Sequence, residues 1–457
     1  MQLNVKQPSP APRTHEGAAA ARITAQQALR RSIMACLLWE DGFYEDGEAV
    51  ASRIVRLIPE CEPTFVAACA FHARHKMKLR HVPLLIVAAM TRSAQHKGLV
   101  ADLLCDVIER PDEITEFMAI YYSPIIGSRT ESAQVKRGLA RAFLKFDEYQ
   151  LAKYNRDGAW KLRDVLFLSH SNPCVPGSPR YNREDRRAKV PRVLNEREDL
   201  YRRLVDGELA TPDTWESALS GGKDAAETFR RLMAEKKLGA LAFLRNLRNM
   251  QQAGIGKAEV QAYAEIVNIA RVLPFRFIAA ARAVPAWEDV IEPMMLRALV
   301  GQEGLPGRTA LLIDSSSSMT AFVSGHSDTT RFDAAIALAI LLRELAQDVR
   351  IIAFTSAPWD IPPRRGFALR EAILHRVVPA GTLLGRAVRY AKQQPCDRII
   401  VITDEQSEDR PPPPECPGYV INVGVNQNGV GYGPWHHIDG WSEAVLDYIR
   451  AIESEAQ

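Results

Sequence analysis

The stretch "LLIDSSSSMT" (residues 311–320) runs three apolar residues into an aspartate and then sets four serines in a row. A polar linker also carries serines, but it does not follow a strand-like apolar run and precede a helical pattern, here "RFDAAIALAILLRELAQ" (331–347). Short apolar runs ending in polar residues recur at "RTALLID" (308–314), "DVRIIAFT" (348–355), "DRIIVITD" (397–404) and "GYVINVGV" (418–425). Helical patterns such as "LLGRAVRYAKQ" (383–393) lie between them. Strands alternating with helices predict a doubly wound α/β domain with a parallel sheet.

In such a sheet, ligands sit at the carboxyl ends of the strands. Asp314 closes the first run and opens a D-x-S-x-S spacing with Ser316 and Ser318; Asp404 closes another run, and Thr382 lies in the loop "AGTLLG" before a helix. Two carboxylates and three hydroxyls form the all-oxygen donor set that a hard divalent cation such as Mg²⁺ takes, with water completing its octahedron. A lone D-x-S-x-S caps a turn equally well. Thr382 and Asp404 at matching strand ends favour the metal.

Residues 24–300 follow a different pattern, helix after helix. "TAQQALRRSIMACLLWE" opens with the T-x-x-Q of a capping box at Thr24 and Gln27. Amphipathic stretches follow at "GEAVASRIVRLI" (47–58), "TFVAACAFHARHK" (64–76), "VKRGLARAFLKFDEYQLAKY" (135–154), "LGALAFLRNLRNM" (238–250) and "AEVQAYAEIVNIARVL" (258–273). Short helices joined by short turns predict helix pairs stacked side by side. The Pro-rich, charged segment 171–196 reads as a loop, and residues 1–19 as a flexible Pro-rich arm without the apolar core of a secretory signal. The turn residues of "QEGLPGR" (302–308) divide a helical domain at 20–300 from the α/β domain at 305–457.

At 457 residues the chain can hold two or more cores. Its longest apolar run, "VPLLIVAAM" (82–90), falls far short of the ~20 residues that span a bilayer, so no membrane role is expected. Seven cysteines without C-x-x-C spacing suggest neither a disulfide framework nor a zinc knuckle, and a reducing cytoplasm fits best. The net charge of +3 is unevenly placed: residues 1–300 hold 44 Lys and Arg against 36 Asp and Glu, and residues 301–457 hold 14 against 19. Residues 129–203 alone hold 18 basic and 10 acidic residues, which accounts for the whole N-terminal excess. Such a stripe is either the footprint of a polyanion partner or a solvated helix face with an exposed loop.

The D-x-S-x-S…T…D set resembles the metal-ion-dependent adhesion site (MIDAS) of von Willebrand factor A domains, over about residues 305–450. In that family the two serines and the threonine coordinate the metal, and the aspartates act directly or through water. Five further phrases, "ALRRSIMACLLWEDGFYEDG" (28–47), "LAKYNRDGAWKLRDVLFLSHSNP" (151–173), "LAFLRNLRNM" (241–250), "VLPFRFIAAARAVPAW" (272–287) and "NQNGVGYGPWHHIDGWSEAVLDYI" (426–449), resemble the Ro autoantigen family, including its bacterial Ro-like proteins.

That resemblance implies an α-helical ring of HEAT-like repeats, the TROVE domain, followed by an α/β doubly wound von Willebrand factor A domain. It implies a monomeric, cytoplasmic ribonucleoprotein ring that binds Y-like noncoding RNA and takes misfolded or single-stranded 3′ ends. It also implies a bacterial partner, the exoribonuclease polynucleotide phosphorylase, tethered by the RNA. His170, in the phrase "LSH", and Lys153, seven residues before Trp160, match family RNA contacts. A family arginine falls on Asp157, a departure from the family pattern for which Arg156 beside it could substitute. Lys136, Arg137, Arg141, Lys145, Lys161 and Arg163 could neutralise phosphates, while Tyr154 and Trp160 could stack on bases.

Two other classes compete with the RNA scaffold. A metal-dependent nuclease needs carboxylates that bind metal directly, whereas this site offers mostly neutral hydroxyls, and no Walker loop or H-E-x-x-H is present. The expectation is therefore a non-enzyme. A protein-docking module, in which a partner carboxylate completes the metal sphere, can exist without RNA or together with it.

Overall fold

The computed structural model describes residues 24–35, 47–128, 130–155, 158–171, 196–270, 272, 274–322, 330–375, 381–423, 434–439 and 445–455. The chain forms two compact units, Ala51–Ser217 and Met1–Val50 with Ala218–Gln457. The proposed arm at 1–19 and residues 172–195 of the 171–196 loop lie outside the described residues. Among the described residues no helix is long and apolar enough to cross a membrane.

The described residues begin with helices α1 (Ala25–Ala35) and α2 (Gly47–Leu57), and the first unit is helical. Its helices α3 (Pro63–His75), α5 (Val100–Val107), α7 (Ala133–Phe143) and α9 (Leu162–Ser169) pack in succession as one layer. Helices α4 (His81–Met90), α6 (Pro111–Tyr121) and α8 (Glu148–Tyr154) form the other. This is the side-by-side stacking expected from the helical periodicity. Helix α4 buries every residue from Val82 to Met90, so it runs through the core rather than along its edge. Helices α5 and α7 meet closely at Gly138, where a Cβ would lie 2.9 Å from the Ala101 carbonyl oxygen.

The amphipathic stretch 135–154 is two helices, not one. Asp147 breaks it: its carboxylate accepts from the Gln150 backbone N–H at 2.7 Å, and the Gln150 side chain accepts from the Asp147 N–H at 3.1 Å. That reciprocal cap starts a new helix. In the same unit, the Arg74 guanidinium donates to Glu113 Oε1 at 2.6 Å, while Glu113 Oε2 accepts from the backbone of Glu109 and Arg110. Burial pushes the Glu113 carboxyl up, and the Arg74 charge and these donors pull it back.

The second unit is built on a six-stranded sheet. Its strands are β1 (Leu305–Asp314), β2 (Ala346–Phe354), β3 (Pro358–Asp360), β4 (Arg398–Thr403), β5 (Gly418–Asn422) and β6 (His436–Asp439), in the order β3-β2-β1-β4-β5-β6. Among the described strands only β2–β3 is antiparallel. The four apolar runs read from sequence are β1, β2, β4 and β5. Strands β3 and β6 are three and four residues long, too short to show a period in the sequence. Helix Arg331–Leu345 stops two residues before the sequence pattern does, because Ala346 already belongs to β2. Likewise the pattern at 258–273 gives a helix only over Lys257–Ile266, where Val267 turns extended.

Helices pack on both sides of this layer. Pro274–Ala283 and Glu288–Leu299 lie against Arg331–Leu345 and Gly366–Leu374. They are tied by ion pairs Arg282–Asp333 (2.6 Å) and Arg370–Glu288 (2.7 Å) and by the Phe367 N–H donating to Glu292 at 2.6 Å. The helix Ala25–Ala35 packs on β6, at the sheet edge. The strand order reverses between β1 and β4. This is the topological switch point, where the carboxyl ends diverge and leave a crevice.

Candidate metal centre and nucleic-acid interface

Asp314 is the last residue of β1, and Asp404 follows β4 directly, so both carboxylates stand at the switch point. Both are fully buried. Asp314 Oδ1 accepts from the Ser316 backbone N–H at 2.9 Å, and Oδ2 accepts from the Thr403 hydroxyl at 2.6 Å. Burial, with the Asp404 charge adding to it, pushes the Asp314 carboxyl up to about 6. A second buried carboxylate beside Asp314 creates a demand for positive charge.

The serines decide between capping and coordination. Ser316 occupies the N-cap of the 3₁₀ turn Ser317–Thr320, yet its side chain makes no capping hydrogen bond. Its hydroxyl instead lies 3.1 Å from that of Ser318. Ser317, between them, points to solvent. The D-x-S-x-S spacing thus puts alternate hydroxyls together, which a cap does not require.

Thr382 is held by the loop after β4. The Thr382 carbonyl accepts from the Glu408 N–H at 2.8 Å and from the Ser407 hydroxyl at 3.2 Å. The Leu383 N–H donates to the Thr355 carbonyl beyond β2 at 2.9 Å. Asp409 caps the next helix, Leu384–Ala391, by accepting from the Gly385 and Arg386 N–H groups at 2.6 and 3.0 Å. Thr382 is itself buried, at 4% exposure. The sequence reading did not include Arg331, whose guanidinium donates to Asp404 Oδ2 at 2.8 Å from the start of its helix, nearly out of water. No local signal marks it, since the pair spans 73 positions. The donor set (buried carboxylates, paired hydroxyls, a threonine on a pinned loop) fits a hard divalent cation.

The basic residues of the helical unit divide into groups. Arg137 and Arg141 both face Asp102, and Lys145 donates to the carbonyls of Cys105 and Ile108 at 2.8 and 2.6 Å, so their charges are partly spent within the fold. Arg163 is exposed beside Asp164 at 3.7 Å. Lys136 is half-buried on α7, and Lys161 is the N-cap of α9. Lys153 lies in the last turn of α8 with its ammonium 5.8 Å from the ring centres of Tyr149 and Tyr154. Arg110, at the N-cap of α6, lies over the Tyr154 ring at 4.7 Å. Trp160 stacks on Tyr122 at the other end of α6. His170 is an exposed left-handed C-cap of α9, with φ of 52°. Arg156 and Asp157 lie outside the described residues.

Comparison with known proteins agrees with this architecture. The Deinococcus radiodurans RO (RSR) protein crystal structure superposes with a TM-score of 0.63 at 17% identity, covering 94% of this chain and all of that one. That likeness gives the same fold, a helical TROVE region followed by a von Willebrand factor A-like domain. Telomerase protein component 1 of Rattus norvegicus is 23% identical over 289 residues, 48% of this chain and 11% of that protein. The Mus musculus protein of the same name is 22% identical over 306 residues, 52% of this chain and 12% of its own length. The chain therefore spans only about a tenth of these curated relatives. The TROVE domain model matches residues 14–206 and 202–298, more than half of the chain, and the protein belongs to the TROVE-domain (Ro) family.

Proposed function

We propose that the protein is a non-enzymatic RNA-binding component of a ribonucleoprotein, holding structured noncoding RNA on its helical unit. The observation that carries this reading is the basic excess of residues 129–203, 18 against 10, inside the TROVE match. Exposed rings lie among these charges: Tyr149 is 45% and Phe167 60% exposed, and the Lys153 ammonium sits beside the former. Cations over stackable rings are what a single-stranded base and its phosphate require together. The RNA we propose is a Y-like RNA with single-stranded or misfolded 3′ ends as further cargo. The role is that of a scaffold in RNA stability or degradation, with an exoribonuclease such as polynucleotide phosphorylase as the partner that acts on the ends.

In the same proposal the α/β domain holds one Mg²⁺ through Ser316, Ser318 and Thr382, with Asp314 and Asp404 acting directly or through water. The metal supplies a docking point for a partner carboxylate. A docking role without RNA is the second reading; the hydroxyl-rich donor set favours docking over hydrolysis. Titrating a structured RNA against the full chain over a range of salt concentrations separates the two. Contact with several phosphates gives a log K against log salt slope of roughly −0.9 per duplex phosphate. An affinity that does not change with salt overturns the RNA reading.

A further inference from the structure

Cys396 and Cys416 stand 20 positions apart in sequence with their sulfurs 3.9 Å apart. They precede the neighbouring parallel strands β4 and β5, at the amino end of the sheet and away from the carboxyl-end crevice. The backbone fixes this meeting. The Ile399 N–H donates to the Pro417 carbonyl at 3.0 Å, and the Asp397 N–H donates to the Arg308 carbonyl at 2.8 Å. Both thiols are partly exposed and pack on the core cluster of that sheet face. Cys396 also lines a cavity of about 350 Å³ with Arg308, Arg350 and Gln394, large enough for a small solute to approach this residue.

We propose that Cys396 and Cys416 are a redox dithiol, with Cys396 the attacking thiol and Cys416 the resolving thiol, which closes to a disulfide on contact with a low-molecular-weight disulfide. The asymmetry has a physical cause. The hydrogen bond from Cys416 holds the Cys396 thiol down at about 7, with the charges of Arg308 and Arg350 helping against burial and Asp397. The same bond, and then burial, pushes Cys416 up. Elsewhere among the described cysteines, burial raises Cys61 and Cys105. A thiolate near ambient pH is the best attacking group.

With oxidised glutathione the step balances as follows. The Cys396 thiolate attacks one glutathione sulfur, the glutathione disulfide breaks, and one glutathione thiolate leaves. Cys416 loses its proton to that thiolate and attacks the Cys396 sulfur, expelling the second glutathione as the Cys396–Cys416 bond forms. Two protein thiols are oxidised and one glutathione disulfide is reduced. The closed loop, residues 396–416, contains β4, Asp404 and the Ser407–Asp409 turn that holds Thr382. Oxidation therefore stiffens the segment that carries Asp404 and holds Thr382.

The test equilibrates the full chain with oxidised glutathione near pH 7 and maps its peptides without reduction. The expected product is a Cys396–Cys416 linked peptide lighter by two hydrogens, with little glutathione retained. Cys416→Ser, lacking the resolving thiol, should trap glutathione on Cys396. Cys396→Ser should react several-fold more slowly at Cys416. Iodoacetamide labelling of Cys396 should rise through a midpoint near 7 in the native chain. The mapping of the native chain needs no variant to fold. Absence of the linked peptide, or stable glutathione on both cysteines of the native chain, overturns the proposal.

Discussion

Replacing Arg331 with Gln removes the positive charge that pairs with the buried Asp404. Its guanidinium donates to Asp404 Oδ2 at 2.8 Å, with the two side chains 10% and 0% exposed. A second contact, to the Ser318 carbonyl at 3.5 Å, is too long to contribute much. Breaking a buried pair by removing one partner costs about 3–5 kcal/mol, because the remaining charge stays out of water without a counter-charge. For a unit of this size, 1 kcal/mol moves the melting temperature by about 2–4 °C, so in chelator the transition should fall by on the order of 10 °C. A divalent cation among Asp314, Ser316, Ser318, Thr382 and Asp404 would supply the missing charge. Mg²⁺ at roughly 100 times its dissociation constant returns about 2.7 kcal/mol to any folded state that binds it. The variant should therefore gain at least as much from Mg²⁺ as the native chain, and more if Arg331 and the metal compete for Asp404. The assay is a calorimetric or circular dichroism melt of both proteins in EDTA and across a Mg²⁺ series. A variant that melts with the native chain in EDTA, or that Mg²⁺ does not raise, refutes the reasoning.

Ser316→Ala with Ser318→Ala should abolish tight Mg²⁺ binding in calorimetry while leaving RNA affinity nearly intact, since the serines and the basic segment lie in different units; unchanged metal binding would return the serines to a structural role. Lys153→Ala should shrink the salt slope of RNA binding by about one unit. His170→Ser should cost about 1–3 kcal/mol of RNA affinity if the imidazole stacks on a base. His170→Asn serves as its control, because asparagine tolerates the left-handed backbone that His170 adopts; equal RNA affinity in native, Ser and Asn proteins removes His170 from the interface. Asp409→Ala should cost about 1–2 kcal/mol through loss of its cap on Leu384–Ala391. It should also weaken Mg²⁺ through Thr382, and a melt unchanged from native would contradict the capping argument.

Local chemistry made much of this protein legible from its sequence. Apolar runs of four to eight residues ending in polar ones mark strands, and in a parallel sheet their last residues share one edge. Asp314 and Asp404 could thus be placed together without coordinates. Periodicity likewise gave the helices and their stacking, because it reports which face is apolar. It does not report which neighbour covers that face. That Arg331 meets Asp404, that Asp102 takes up the charges of Arg137 and Arg141, and that Cys396 meets Cys416 were settled only by the tertiary structure. Each pairing joins residues far apart along the chain, beyond the three or four positions over which caps and side-chain spacing act. The short strands β3 and β6 and the Asp147 break show the same limit at smaller scale. A strand of three residues exists because a longer neighbour offers it hydrogen bonds, and that neighbour is supplied by the fold rather than by the local sequence.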